Sequence, residues 1–355
     1  MALDTNTFLD ALIDEGYTYL CVVPCSFAKN IINAAINNNN IEYIPCASEA
    51  VACSVAAGLK MSGKKPIVIV QSSGVTNMGS CMTSLLKPYG VTFPIMSSWR
   101  TYKEGDSEIQ HQHLATKLPE LIASYGYEYT VVDQENISTA IEQINTCNES
   151  MTVAVLKKDT FSKVVLLDEH QLDFSNLIPR SEFLINMNTM FKDEDTLFIG
   201  TTGNTAREMY SFMPDTHNFY MAGNMGGALS LGLGAAMANK KVIVCGGDAE
   251  FVMHMGGLTT AGRYTDINLT YILFDNESNK STGGQNTYQA HVDYINIAKS
   301  ANLDTINHVI TDLSEFSATL EKMQKTSGLK FLCVKCGIDE ETPRPPLDVV
   351  KVNTF

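Results

Sequence analysis

Gly247-Asp248-Ala249, followed by Asp275-Asn276 and then Ser278, is the pattern in this chain best suited to chemistry. The apolar run Lys241-Val242-Ile243-Val244-Cys245 leads into the first turn and reads as a buried strand, so Asp248 falls at a strand's carboxyl end. A second run, Leu269-Thr270-Tyr271-Ile272-Leu273-Phe274, delivers Asp275-Asn276 to the same edge if the strands are parallel. Open α/β sheets collect their ligands at that edge. The carboxylate of Asp248, the amide oxygen of Asn276 and the carbonyl of Ser278 would converge there. Hard oxygen donors of this kind suit Mg²⁺, which completes its octahedron with phosphate oxygens and water.

Upstream lies Gly223-Asn224-Met225-Gly226-Gly227, then the small-residue helix Ala228-Leu229-Ser230-Leu231-Gly232-Leu233-Gly234-Ala235-Ala236-Met237. The glycines let backbone approach a ligand, and the small residues let the helix pack closely on a sheet. Tight packing alone is the other reading of this run. Glu49 follows the apolar stretch Tyr43-Ile44-Pro45-Cys46 at the start of a second small-residue helix. With Ser48 as the cap, Glu49 falls in the first turn, where a carboxylate can simply complement the helix dipole.

The GDA triplet and the following Asp-Asn pair resemble the signature of thiamine-diphosphate enzymes. The resemblance sharpens over most of the chain. Val23-Pro24-Cys25-Ser26-Phe27, Ser48-Glu49-Ala50, Gln71-Ser72-Ser73-Gly74, Ser98-Trp99-Arg100, Glu108-Ile109-Gln110-His111, Gly200-Thr201-Thr202-Gly203-Asn204-Thr205-Ala206-Arg207-Glu208, Met253-His254-Met255-Gly256 and Ser281-Thr282-Gly283-Gly284-Gln285 occur in order. Together they resemble the phosphonopyruvate decarboxylase family, with sulfopyruvate decarboxylases as near relatives.

The resemblance implies thiamine diphosphate and Mg²⁺ as cofactors, with Asp248, Asn276 and Ser278 as the metal ligands. Thr202, Gly203, Gly223, Met225, Gly247, Asp248, Ala249 and Asn276 would hold the cofactor, Met225 as the wedge that bends it and the Gly223 carbonyl as an acceptor for its aminopyrimidine. Glu49 would be the acid that activates the cofactor, and His111 and His113 would move protons. The implied reaction is non-oxidative decarboxylation of 3-phosphonopyruvate to phosphonoacetaldehyde and CO₂, a lyase step of phosphonate biosynthesis. Ser26, Ser72, Ser73 and Arg100 would grip the remote anion, for which a guanidinium fork is well matched. Arg100 could equally form a structural ion pair, and His254 between two methionines reads as a packed histidine.

Several positions depart from the family pattern. Ala249 stands where a third glycine is usual, Asp275 where an Asn is usual, and Glu250 where a small residue is usual. A second carboxylate beside a diphosphate is unfavourable unless it points away. Ser48 and Ser72 replace amides with hydroxyls near the expected pocket. Two other functions stay open: a sulfopyruvate or other 2-oxo acid decarboxylase or carboligase, and a non-catalytic cofactor-binding subunit.

The elements that must position these residues read as alternating strands and helices, which predicts an α/β chain with two doubly wound parallel-sheet domains. The clearest strands are Tyr17–Val23, Ile67–Val70 and Val153–Leu156, then Thr196–Ile199, Val242–Val244 and Tyr271–Phe274. A pyrimidine-binding domain over 1–160, a linker over 161–180 and a diphosphate-binding domain over 181–355 leave no room for a middle domain. The family binds its cofactor between subunits, which implies at least a homodimer.

With 355 residues, 45% of them hydrophobic, each half can bury a core. A net charge of −14 argues against a nucleic-acid partner. No long apolar span or secretory leader is read in the sequence, which predicts a cytoplasmic protein without a membrane partner. The nine cysteines read as buried thiols. Cys333 and Cys336 lie on one strand-like run, so their side chains should face opposite sides and not share a zinc ion.

Overall fold

The computed structural model describes residues 2–103, 105, 109–339 and 341. Glu108 of the Glu108–His111 motif lies outside the described residues. Among the described residues twelve strands form two six-stranded sheets. The first contains β1 (Tyr17–Val22), β2 (Glu42–Pro45), β3 (Lys65–Gln71), β4 (Ile95–Ser98), β5 (Glu128–Val131) and β6 (Thr152–Leu156), in the order β2-β1-β3-β4-β6-β5. The second contains β7 (Thr196–Gly200), β8 (His217–Tyr220), β9 (Lys241–Gly247), β10 (Asn268–Asp275), β11 (Asp304–Thr305) and β12 (Gly328–Lys335), in the order β11-β12-β10-β9-β7-β8. Every pairing is parallel.

Parallel strands buried on both faces should be apolar at consecutive positions, and β9, β10 and β12 are. Val242, Val244, Leu269, Tyr271, Leu273, Phe331 and Cys333 belong to one buried cluster. Ile243, Cys245, Ile272, Phe274, Leu332, Val334 and Cys336 belong to another. The alternation assigns one cluster to each face of the sheet, because successive side chains on a strand point opposite ways. Cys333 and Cys336 therefore lie in separate cores, as the spacing predicts, and all nine cysteines are free thiols.

Contacts divide the chain into one unit of Met1–Gln171 with Asn279–Asn286, and a second of Leu172–Ser278 with Thr287–Phe355. The first unit thus includes a short segment distant in sequence. Gln285 is fully buried there and donates from Nε2 to Asn33 Oδ1 at 2.8 Å. Among the described residues no helix is long and apolar enough to cross a membrane.

The second unit carries a buried ion pair. Arg180 Nε and Nη2 meet Glu208 Oε2 and Oε1 at 2.7 and 2.8 Å, joining the helix Arg180–Phe191 to the helix Asn204–Phe212. Arg180→Met would strand a buried carboxylate and should destabilise the fold by about 3–5 kcal/mol. Urea unfolding measures this directly; a loss under about 1 kcal/mol would mean that water reaches the pair.

Candidate active site

Two adjacent strand ends build the anchor in the second unit. The register pairs Phe274 of β10 with Gly247 of β9, so Asp248 and Asp275-Asn276 leave the sheet side by side. Asp248 opens the helix Asp248–Met253 and is 4% exposed. Thr287 Oγ1 donates to its Oδ2 at 3.0 Å. Burial, and then the nearby Asp275 carboxylate, push the Asp248 acid up to about 7. A buried carboxylate that resists ionisation alone is well placed to receive a cation.

Asn276 is buried, and its Oδ1 accepts the Ser278 N–H at 3.0 Å in an Asx turn, which fixes the amide. The hydroxyls of Ser278 and Thr201 are buried without a hydrogen-bond partner. Thr201 follows β7, and its N–H donates to Cys245 O of β9 at 2.9 Å, so this loop lies at the point where the strand order reverses. Among the described residues no three His, Cys, Asp or Glu side chains cluster to hold a metal ion. A cation here would need amide, carbonyl and ligand oxygens, the donor set that suits Mg²⁺ with a diphosphate.

Thr202 donates its hydroxyl to Ala222 O at 2.9 Å, tying the loop after β7 to the Gly223–Gly227 segment. Gly203 has φ 98°, a conformation closed to most side chains, and it starts the helix Asn204–Phe212. Gly223 and Met225 are half-buried. A Cβ on Gly247 would meet no atom within 4 Å, which leaves the backbone beside Asp248 and Ala249 open to a ligand.

Glu250 resolves its own difficulty by direction. Tyr271 Oη donates to Glu250 Oε2 at 2.6 Å in the buried interior. Burial raises the Glu250 acid to about 7, while Tyr271 and the backbone N–H groups of Ala228 and Gly247 pull the other way. Its carboxylate thus sits at the start of the helix Ala228–Met237, where helical N–H groups need acceptors. His254 differs from its expected packing: it is exposed, with its ring against Gly226, where a Cβ would lie 2.8 Å from Cγ. The helix Asp248–Met253 ends just before it and carries it out of the core.

In the first unit Ser48 caps the helix Glu49–Met61, its side chain accepting the Val51 N–H. Glu49 is 3% exposed, and Asn77 Nδ2 donates to its Oε2 at 2.8 Å. Gly74 makes room for the carboxylate, since a Cβ there would fall 2.7 Å from Glu49 Cγ and Oε1. A carboxylate serving only the helix dipole would lie at the surface, whereas this one is enclosed. Asn77 and Gly74 are positions that sequence reasoning did not assign, although Gly74 lies in a quoted motif.

Ser72 opens the helix Ser72–Asn77 with a buried hydroxyl that has no hydrogen-bond partner, and Ser73 is half-buried. Arg100 follows β4, is 7% exposed, bonds Ser26 Oγ through Nη1 and lies 4.5 Å over the Phe27 ring. The structure therefore brings Arg100 and Ser26 together. The next residue, Thr101, has φ 59°, a costly value for a β-branched side chain. Trp99 holds the turn by donating Nε1–H to Ala115 O at 2.6 Å. His111 is buried and His113 is exposed, so only the first is enclosed in this unit.

Both halves of the chain are similar to known proteins. Residues 5–114 match the family described as thiamine pyrophosphate enzyme, N-terminal TPP binding domain, and residues 199–334 match its C-terminal TPP binding domain. A phosphonopyruvate decarboxylase from Streptomyces viridochromogenes is 27% identical over 95% of this chain and 90% of its own length. A sulfopyruvate decarboxylase from Methanosarcina acetivorans is 25% identical over 91% of this chain and 88% of its own. The sulfopyruvate decarboxylase subunit beta of Methanocaldococcus jannaschii is 33% identical over 40% of this chain and 76% of its own.

Proposed function

This chain belongs to the thiamine pyrophosphate enzyme family and is a thiamine-diphosphate-dependent 2-oxo acid decarboxylase, a lyase, and from that premise we propose that its substrate is 3-phosphonopyruvate. The observation that carries the substrate is Arg100, buried at a strand end, held by Ser26 and laid over Phe27. A guanidinium so enclosed matches a tetrahedral oxyanion, and the buried Ser72 hydroxyl together with Ser73 adds donors. Similarity to a phosphonopyruvate decarboxylase along most of both chains supports the same reading.

Asp248, the Asn276 amide oxygen and the Ser278 carbonyl would hold Mg²⁺, and Thr202, Gly203, Gly223, Met225, Gly247 and Ala249 would line the cofactor. Bound thiamine diphosphate supplies the electron sink for carbon dioxide release. Glu49 would hold and return a proton where the cofactor's aminopyrimidine binds. Arg100 and the serines orient the substrate by its remote anion. His111 and His113 deliver the proton that replaces the lost carboxylate, so that 3-phosphonopyruvate and one proton give phosphonoacetaldehyde and CO₂. The working enzyme is a homo-oligomer, in which two chains would each contribute residues to one cofactor.

Catalytic efficiency with 3-phosphonopyruvate, 3-sulfopyruvate and pyruvate on one preparation tests the assignment. A phosphonate carries nearly two negative charges at neutral pH and a sulfonate one. The phosphonate should lead by about 10- to 100-fold, the worth of roughly 1.5–3 kcal/mol for a charge-assisted hydrogen bond. Pyruvate should be poorer still. A sulfopyruvate preference would move the chain to the function named for its other relatives and leave the decarboxylase chemistry in place.

A further inference from the structure

Asp275 ends β10 beside the Asp248–Asn276 anchor, and the structure shows which groups hold its carboxylate. In the parallel register of β10 and β12, Asp275 lies opposite Lys335. Lys335 Nζ reaches Asp275 Oδ2 at 3.0 Å and Glu277 Oε1 at 2.6 Å. The other Asp275 oxygen accepts the Glu277 N–H at 3.1 Å. Both carboxylate oxygens are thus engaged, one by Lys335 of β12 and the other within the turn itself. Asp275 and Glu277 also line a cavity of about 490 Å³ that neither Asp248 nor Asn276 lines.

We infer that Lys335 is a positioning residue that draws the Asp275 carboxylate toward β12, and so keeps the Asp248–Asn276 anchor at a single carboxylate. The inference rests on the Mg²⁺-diphosphate reading of that anchor and adds a reason for its selectivity. Two carboxylates facing one cation would capture it without the cofactor, because charge count among oxygen ligands sets divalent-cation affinity. One carboxylate leaves cation binding dependent on the diphosphate. Lys335 offsets part of the Asp275 charge, which still reaches Asp248, and holds one of its oxygens on β12.

The test is Mn²⁺ binding to the full-length chain, read by the electron paramagnetic resonance of free Mn²⁺, with and without thiamine diphosphate. Wild type should bind Mn²⁺ weakly until the cofactor is added. Lys335→Met should bind it about tenfold more tightly without cofactor, and Asp275→Asn combined with Lys335→Met should return to the wild-type value. Equal affinity in wild type and Lys335→Met would overturn the inference. Should Lys335→Met fail to fold, Asp275→Asn alone decides, since it should stay within about threefold of wild type, while a loss of about tenfold or more would show Asp275 already on the cation. Failure of the underlying reading looks different: Asp248→Asn would then keep cofactor-dependent Mn²⁺ binding.

Discussion

Glu49→Gln is expected to lower decarboxylation by about a hundredfold to ten-thousandfold while the chain folds and binds thiamine diphosphate as before, the range typical of removing a positioned acid or base. The amide has the size of the carboxylate, so the tight fit against Gly74 persists. Its oxygen can still accept the Asn77 Nδ2 hydrogen bond, found at 2.8 Å on Oε2. What disappears is the titratable proton and the charge of the carboxylate. The check is kcat from carbon dioxide release beside cofactor affinity from calorimetry. A variant within about tenfold of wild-type kcat would remove Glu49 from the chemistry. Equal losses in kcat and cofactor affinity would make it a structural group instead.

Asp248→Asn should make the apo protein more stable at neutral pH and abolish its stabilisation by Mg²⁺ with cofactor. Burial lifts this acid from 3.8 to about 7 in the folded chain. Between those values the native state holds a proton that the unfolded state has released. Stability then falls as pH rises through the window, by about 1.4 kcal/mol per pH unit where the difference is one whole proton. The penalty is complete above pH 7 and absent below pH 4. Glu250, raised from 4.5 to about 7, acts in the same direction and survives the substitution.

Wild-type apo protein should therefore melt progressively lower from about pH 4 to pH 7 and level off above it, and Asp248→Asn should show a shallower fall. Added Mg²⁺ and thiamine diphosphate should recover the wild type by ligand linkage and leave the variant nearly unmoved. Thermal melts across that range, with and without both ligands, report the two slopes. A variant stabilised by the ligands as strongly as wild type would place the anchor elsewhere.

Within the chain itself, sequence determined whatever depends on short-range periodicity and on the residue types at element ends. Apolar runs marked β1, β3, β6, β7, β9, β10 and β12, since strands buried on both faces must be apolar at successive positions. Ser48 before Glu49 marked a helix start, and two residue turns at strand ends placed Asp248 beside Asn276. The opposed Cys333 and Cys336 followed from the two-residue period of a strand. The short, partly exposed strands β2 and β8 and the two-residue β11 carry little such signal, because a sheet edge is held by its neighbour more than by its own residues.

Tertiary structure alone decided where the polar side chains point. Glu250 could have faced a diphosphate and instead accepts from Tyr271 on β10, 21 residues away in sequence. Arg180 meets Glu208 across two helices, and Thr287 closes on Asp248 from a distant loop. Lys335 meets Asp275 through the register of β10 with β12, 60 residues apart. Each of these pairs depends on how helices pack between strands and so set their offset. No window of neighbouring residues contains that offset, so the residue types show that such charges need partners, and only the folded chain determines which partners they receive.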